Sequence, residues 1–206
     1  NVTIGSGAAL ETFGDLTINS TDISLGANVT TDGGTLTLNG TASVTDSIVL
    51  QSGTGDLTVT GALLATTNGT HDVTINSGGT AKIGGAVGSG NPASGLAFRN
   101  LTTDEFGTTE FSANIAAAYQ TFNDDLVFTN SLTASGLDAT FDGTVDANDS
   151  NIVLNFTNTA KINGSSWSNL AALTVNAGTI GLAGTIESSG SQTYNGAVQL
   201  NMDAVG

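Results

Sequence analysis

The chain has 206 residues with 18 acidic side chains against three basic ones, a formal net charge of −15. A surface so poor in Lys and Arg cannot neutralise phosphates or settle on an anionic bilayer, which excludes nucleic-acid binding and argues against membrane insertion. There is no cysteine, hence no disulfide scaffold or thiolate metal site; at 38% hydrophobic and 10% charged residues the chain is also too apolar for a disordered acidic tail.

Taken in chain order, the predicted elements are short strands. Asn1-Val2-Thr3-Ile4 already reads as one, so the numbering is expected to begin inside a longer or processed chain. An apolar–polar–apolar–polar tetrad closing on Asn, Thr or Asp then returns. It appears as Leu16-Thr17-Ile18-Asn19, Leu36-Thr37-Leu38-Asn39, Leu57-Thr58-Val59-Thr60 and Val73-Thr74-Ile75-Asn76. Further on come Leu101-Thr102-Thr103-Asp104, Leu126-Val127-Phe128-Thr129, Ile152-Val153-Leu154-Asn155, Leu173-Thr174-Val175-Asn176 and Val198-Gln199-Leu200-Asn201. The steps between successive tetrads are uneven, shortest from Leu57 to Val73 and longest from Val73 to Leu101. Period-2 alternation marks a strand with one buried face, and its return at a period of roughly 20–30 residues marks a solenoid. The expectation is an all-β parallel β-helix (β-solenoid) of about nine coils, roughly 23 residues each, with short Gly/Asn/Asp turns and no helical layer.

No linker or composition shift divides the chain, so residues 1–206 read as a single segment with an internal duplication, about 73–130 and 152–206. Val73–Asn76 through Thr80-Ala81-Lys82-Ile83 matches Ile152–Asn155 through Thr159-Ala160-Lys161-Ile162 at an offset of 79. Gln120-Thr121-Phe122-Asn123 matches Gln192-Thr193-Tyr194-Asn195 at an offset of 72. The length difference falls around Gly88–Gly95, which holds the single proline and reads as a protruding loop. Neither end carries a capping helix, charge cluster or proline. If Gly206 led into another Asn1, the step from the tetrad at Val198 to the one at Leu16 would match the other steps. The segment is therefore read as one unit of a longer array or filament.

Gly143-Thr144-Val145-Asp146, Gly85-Ala86-Val87-Gly88, Gln120–Asn123 and Gln192-Thr193-Tyr194-Asn195-Gly196-Ala197-Val198 resemble the repeats of large bacterial surface exoproteins. These are the filamentous-haemagglutinin-like adhesins and autotransporter passenger domains, and the resemblance, one of repeat style, covers essentially the whole chain. It implies a right-handed parallel β-helix, export to the bacterial cell surface, and a role in adhesion, matrix or filament formation.

Candidate chemistry is sparse. Asn123-Asp124-Asp125 resembles the adjacent aspartates of pectin hydrolases, but the accompanying Gly-His-Gly and Arg-x-Lys are missing, and the equivalents in the second copy are Gly196-Ala197. Solvated turn aspartates are the better reading. His71, the only histidine, has no triad or metal-ligand pattern around it. Asp142, Asp146 and Asp149, with Asn148, offer oxygen ligands for calcium, yet their order fits neither an EF-hand nor the glycine-rich nonapeptide, so no cofactor is expected beyond that candidate.

Asn19, Asn39, Asn76, Asn155, Asn176 and Asn201 are expected to form a hydrogen-bonded ladder at a repeated turn, satisfying amides otherwise buried unpaired. Thr rows of the kind that bind ice are broken at Val127, Val153 and Gln199. Nine Asn-x-Ser/Thr sequons occur, where about five would arise by chance. Trp167 and Tyr119 could stack on a sugar, whereas Phe98, Phe111, Phe128, Phe141 and Phe156 fall on core positions.

The sequence therefore reads as a structural, non-enzymatic segment of an extracellular filament or adhesin whose partners are further copies or adjoining repeats end to end. The alternative is a glycan- or protein-binding adhesin module using protruding loops.

Overall fold

A strand with one dry face is stable only when its edges are paired and its apolar face is covered. In the computed structural model, which describes residues 1–7, 9–89 and 97–200, the described chain meets both needs with nineteen parallel strands in one continuous sheet and no helix. Each turn lays down one strand segment on each of three faces, several strands running on through a corner to serve two or three faces, and the next turn repeats the segments one strand spacing further along.

The first face places Val2 beside Ile23, Ala42 and Leu63, and ends with Leu154, Val175 and Tyr194. The second runs from Leu10, Val29 and Leu50 to Phe141, Ile162, Leu182 and Leu200. On the third, Leu16, Leu36 and Leu57 lead to Val145, Trp167 and Ile186. Tracing the pairs gives ten turns on the first two faces and nine on the third.

Turn length is uneven. Thr109 pairs with Leu126 across a short turn, whereas Val87 pairs with Ile115 across a much longer one. The loop expected at Gly88–Gly95 lies largely outside the described residues, as does Asn201.

The parallel solenoid is as expected, and its nine to ten turns agree with the expected coil number, but the tetrads do not mark one face of it. The tetrads at Leu16, Leu36, Leu57 and Leu126 lie on the third face, those at Val73, Leu101 and Val198 on the second, and those at Ile152 and Leu173 on the first. Their spacing therefore mixes whole turns with fractions of a turn. An apolar–polar alternation looks the same on every face, so the pattern carries no label of the face it sits on.

The matching segments also shift faces. Val73–Asn76 lies on the second face and Ile152–Asn155 on the first; Lys82 stands on the third and Lys161 on the second; Gln120 is on the second and Gln192 on the first. Every pair is separated by three whole turns plus two further faces, so like sequence occupies neighbouring faces of the prism. For the same reason the step from Val198 to a following Leu16 joins two different faces and does not measure one turn.

The inward rows close on a continuous apolar axis. Its middle is aromatic: Phe111 meets Phe122 edge-on at 5.7 Å between ring centroids, Phe122 stacks on Phe141 at 5.0 Å, and Phe141 meets Trp167 edge-on at 5.1 Å. The five phenylalanines expected in the core are all buried there. Outside, the turns approach so closely at the corner between the second and third faces that a Cβ on Gly143 would stand 1.9 Å from the Asp124 carbonyl oxygen. Only glycine fits at that place.

Because Phe141 packs against two rings in a closed core, Phe141→Ala should destabilise the fold by about 3–5 kcal/mol. Phe13→Ala, at a side chain 92% exposed, should change stability by less than about 0.5 kcal/mol. Equilibrium chemical denaturation of the two variants checks both figures.

Candidate functional site

Polar side chains gather at the corners, where a chain leaving one face frees backbone N–H groups that must find acceptors. At the corner leading into the third face, Asp15 accepts from the Thr35 N–H, Asp56 from the Thr80 N–H and Asp125 from the Thr144 N–H, each at 2.8 Å. Before the second face Asn28 accepts the Val49 N–H at 2.8 Å, and before the first face Asn114 accepts the Thr133 N–H at 2.8 Å. Ser47 and Ser131 serve Asp72 and Asn151 in the same way, each at 3.0 Å. Each acceptor belongs to one turn and each donor to the next, so part of the chain's acidity is a set of clamps between turns.

The asparagine ladder takes the form of two short stacks at different corners. Asn39 Nδ2 donates to Asn19 Oδ1 at 2.7 Å where the third face turns into the first. Asn176 Nδ2 donates to Asn155 Oδ1 at 2.5 Å and Asn195 Nδ2 to Asn176 Oδ1 at 2.7 Å where the first turns into the second. Asn76 lies beside Gln51 on the second face and joins neither stack. The rungs are on the outer surface, contrary to the expected burial, so they lock the corners rather than rescue buried amides. Asn195 is a rung that the tetrad reading misses, because Gln-Thr-Tyr-Asn does not open on an apolar residue.

Asp124 departs furthest from expectation. It is 3% exposed, not a solvated turn residue. Its Oδ1 accepts from the Thr103 hydroxyl and its Oδ2 from the Thr109 hydroxyl, each at 2.5 Å. Burial, with the nearby Asp104 charge adding to it, pushes the Asp124 carboxyl up to about 6. The adjacent Asp125 is exposed and occupied by Thr144, so the two aspartates face different surroundings and do not form a catalytic pair.

The calcium candidates are dispersed. Asp142 Oδ1 accepts from Asn163 Nδ2 at 2.8 Å, and Asp146 Oδ1 from the Asn148 N–H and Asn169 Nδ2, each at 2.9 Å. Asn148, Asp149 and Asn169 instead take the left-handed backbone conformation, with φ of 47°, 57° and 54°, which Asn and Asp tolerate best among residues with a Cβ. Among the described residues no three His, Asp or Glu side chains converge on one point.

Trp167 is fully buried and cannot meet a sugar, while Tyr119 is 45% exposed. Of the basic residues, Lys82 pairs with Glu110 at 3.3 Å, and Arg99 pairs with Asp72, holding its carboxyl below the usual range. His71 is half-buried at the turn before the second face, where its carbonyl accepts the Arg99 N–H at 2.8 Å.

Three open clefts remain of interest. One, of about 600 Å³, exposes Val2, Ile4, Leu10 and Ile18 on the first turn; another, of about 410 Å³, exposes Leu182 and Ile186 of the ninth turn with Tyr194 and Leu200 of the tenth, at the end of the described stack. The third, of about 480 Å³, runs along the corner between the first and second faces past Asn68, Ala97, Ala117, Leu137 and Asn155.

No protein-family model, curated protein or solved structure matches the chain.

Removing the central rung with Asn176→Ala breaks two side-chain hydrogen bonds and should cost about 1 kcal/mol, because both partners can turn to water. Asn76→Ala should fall within about 0.5 kcal/mol of the parent chain. Denaturation midpoints at matched conditions distinguish the two.

Proposed function

We propose that this chain is a structural β-solenoid segment of an extracellular bacterial filament or surface adhesin, acting by mechanical stiffness rather than by catalysis. The observation that carries this reading is the unbroken three-faced stack. Each interior turn has its strand edges covered by neighbours, and only the first and last described turns present apolar clefts beside unpaired edges. Those edges suit another turn of the same kind, supplied by a further copy or by the rest of a longer chain. A rod with a net charge of −15 resists sideways association in low salt and tolerates it when salt or divalent cations screen the repulsion. The likeness to haemagglutinin-like and autotransporter repeats supports the cell-surface setting. No resident cofactor is assigned to the segment.

A second reading is favoured by the corner cleft past Asn68, Ala97 and Leu137. A small-residue floor with an asparagine wall could take a neutral glycan or an extended peptide, in which case the rod would be a scaffold for that site.

Electron cryomicroscopy of the purified chain at high concentration separates the readings. End-to-end stacking should give filaments with a layer line near ~4.8 Å and an axial unit of about 48 Å for ten turns. Particles that never associate at any salt concentration would overturn assembly by copies, and glycan-array binding by such particles would favour the second reading.

A further inference from the structure

Asp124 is the one acidic side chain among the described residues that is buried, and no cation stands against it. Lys82 is engaged with Glu110, Arg99 with Asp72, and Lys161 lies on the outside of the second face two turns further on. The carboxyl sits at the corner between the second and third faces in the sixth turn and reaches back to both strands of the fifth. Thr103 ends the strand Phe98–Thr103 on the second face, and Thr109 lies in the strand Thr108–Phe111 on the third. Thr103 Oγ1 also accepts the Asn123 N–H at 3.2 Å, and Asn123 Nδ2 donates to the Thr103 carbonyl at 2.6 Å. One side chain thus ties a whole corner of one turn to the turn before it.

The neighbouring charges do not relieve it. Asp104, from the fifth turn, faces it with the same sign; Asp104 is itself partly buried, which raises its own carboxyl, and its Oδ1 accepts the Ser77 N–H at 3.3 Å. Glu110, beside Thr109, points outward to Lys82, and Asp125, on the sixth turn's own strand, points outward to Thr144. On the seventh turn Asp142 is engaged by Asn163, and Gly143 closes over the corner with no side chain at all. In the second, third and fourth turns the equivalent corner is filled by neutral hydroxyls, Thr31, Ser52 and Ser77, which donate to glycine carbonyls. Both Asp124 oxygens instead accept from hydroxyls of the turn before, so once ionised the carboxyl is a buried charge beside Asp104 with no cation to offset it, a cost the neutral acid does not carry.

We propose that Asp124, with Thr103, Thr109 and Asp104, is a proton-gated clasp between the fifth and sixth turns, closed when the carboxyl is protonated and loosened when it ionises. The rod is then built to be firmer in mildly acidic surroundings than at neutral pH. The direction follows from the two states. The carboxyl holds its proton up to about 6 in the folded chain and only to about 3.8 when exposed. The added stability is complete below about 4 and is lost as pH rises through about 6.

Site-specific carbon-13 titration of the carboxyl groups in the intact chain tests the clasp directly. A resonance assigned to Asp124 with a midpoint near 6 is expected, and a midpoint at or below about 4.5 overturns the proposal. Denaturation at pH 7.5 and pH 5.0 gives the second readout. The folding constant of the parent chain should rise roughly tenfold more across that interval than that of Asp124→Asn, the comparison cancelling the general relief of repulsion among the other carboxylates. Equal rises in both chains overturn it. Should Asp124→Asn fail to fold, Thr109→Val removes one donor to the ionised form and should move the Asp124 midpoint further upward; an unmoved midpoint also overturns the clasp.

Discussion

The rest of the structure depends on one constraint: each turn must hydrogen-bond to the turns on either side at a single strand spacing, in parallel register, on three faces at once. A parallel ladder puts like position over like position, so whatever occupies a row is repeated at about 4.8 Å along the rod. Aliphatic rows meet aliphatic rows, and the core becomes an axis rather than a centre. Polar residues face the same demand in another form. A carboxylate stacked on a carboxylate is repelled, which explains why Asp142 meets Asn163, Asp146 meets Asn169 and Asp72 meets Asn100 and Arg99 in the neighbouring turn. An acidic chain can form such a rod because its acids are interleaved with amides and backbone donors.

Corners supply the specificity that the faces lack. The faces are almost interchangeable, as the matched segments show by sitting one face apart while keeping their strand pattern. At corners the approach of backbones admits only glycine at Gly143, favours left-handed Asn148, Asp149 and Asn169, and recruits Asp15, Asp56 and Asp125 as clamps. A clamp works across turns and not along the chain, so each such residue reports on a neighbour a full turn away. The Asp124 corner is the extreme case, since its carboxyl is enclosed by groups from a different turn.

This arrangement is in keeping with the mechanical role proposed above. Catalysis and tight metal binding need different groups to converge on one point, whereas a ladder repeats similar groups along a line. Where convergence does occur, at Asp124, it is inside the wall and closed to substrate. The outer surface carries amide rungs, threonine rows and the engaged cations Lys82 and Arg99. The corner cleft near Leu137 is the exception, and it lies where the first and second faces meet around a bulge at Gly136 and Asp138.

By itself the sequence determined the strand, its dry side and its parallel stacking. Period-2 alternation in tetrads such as Leu36–Asn39 is a local property, and its repeated return in a chain with few helix formers points to coiling even though the steps are uneven. The burial of Phe98, Phe111, Phe128, Phe141 and Phe156 was legible on the same ground. Tertiary structure alone decided the face each strand occupies, and with it the split of the asparagine ladder into two stacks and the exclusion of Asn76 from both. A period of two carries no phase within a three-sided turn, and turn lengths vary, as the Thr109–Leu126 and Val87–Ile115 pairings show. Tertiary structure also decided the fate of Asp124. Its neighbours in sequence are polar and predict exposure, but its environment comes from Thr103 and Thr109, whose hydroxyls arrive from the preceding turn. Burial at a solenoid corner is set by the turns on either side, and no local pattern records it.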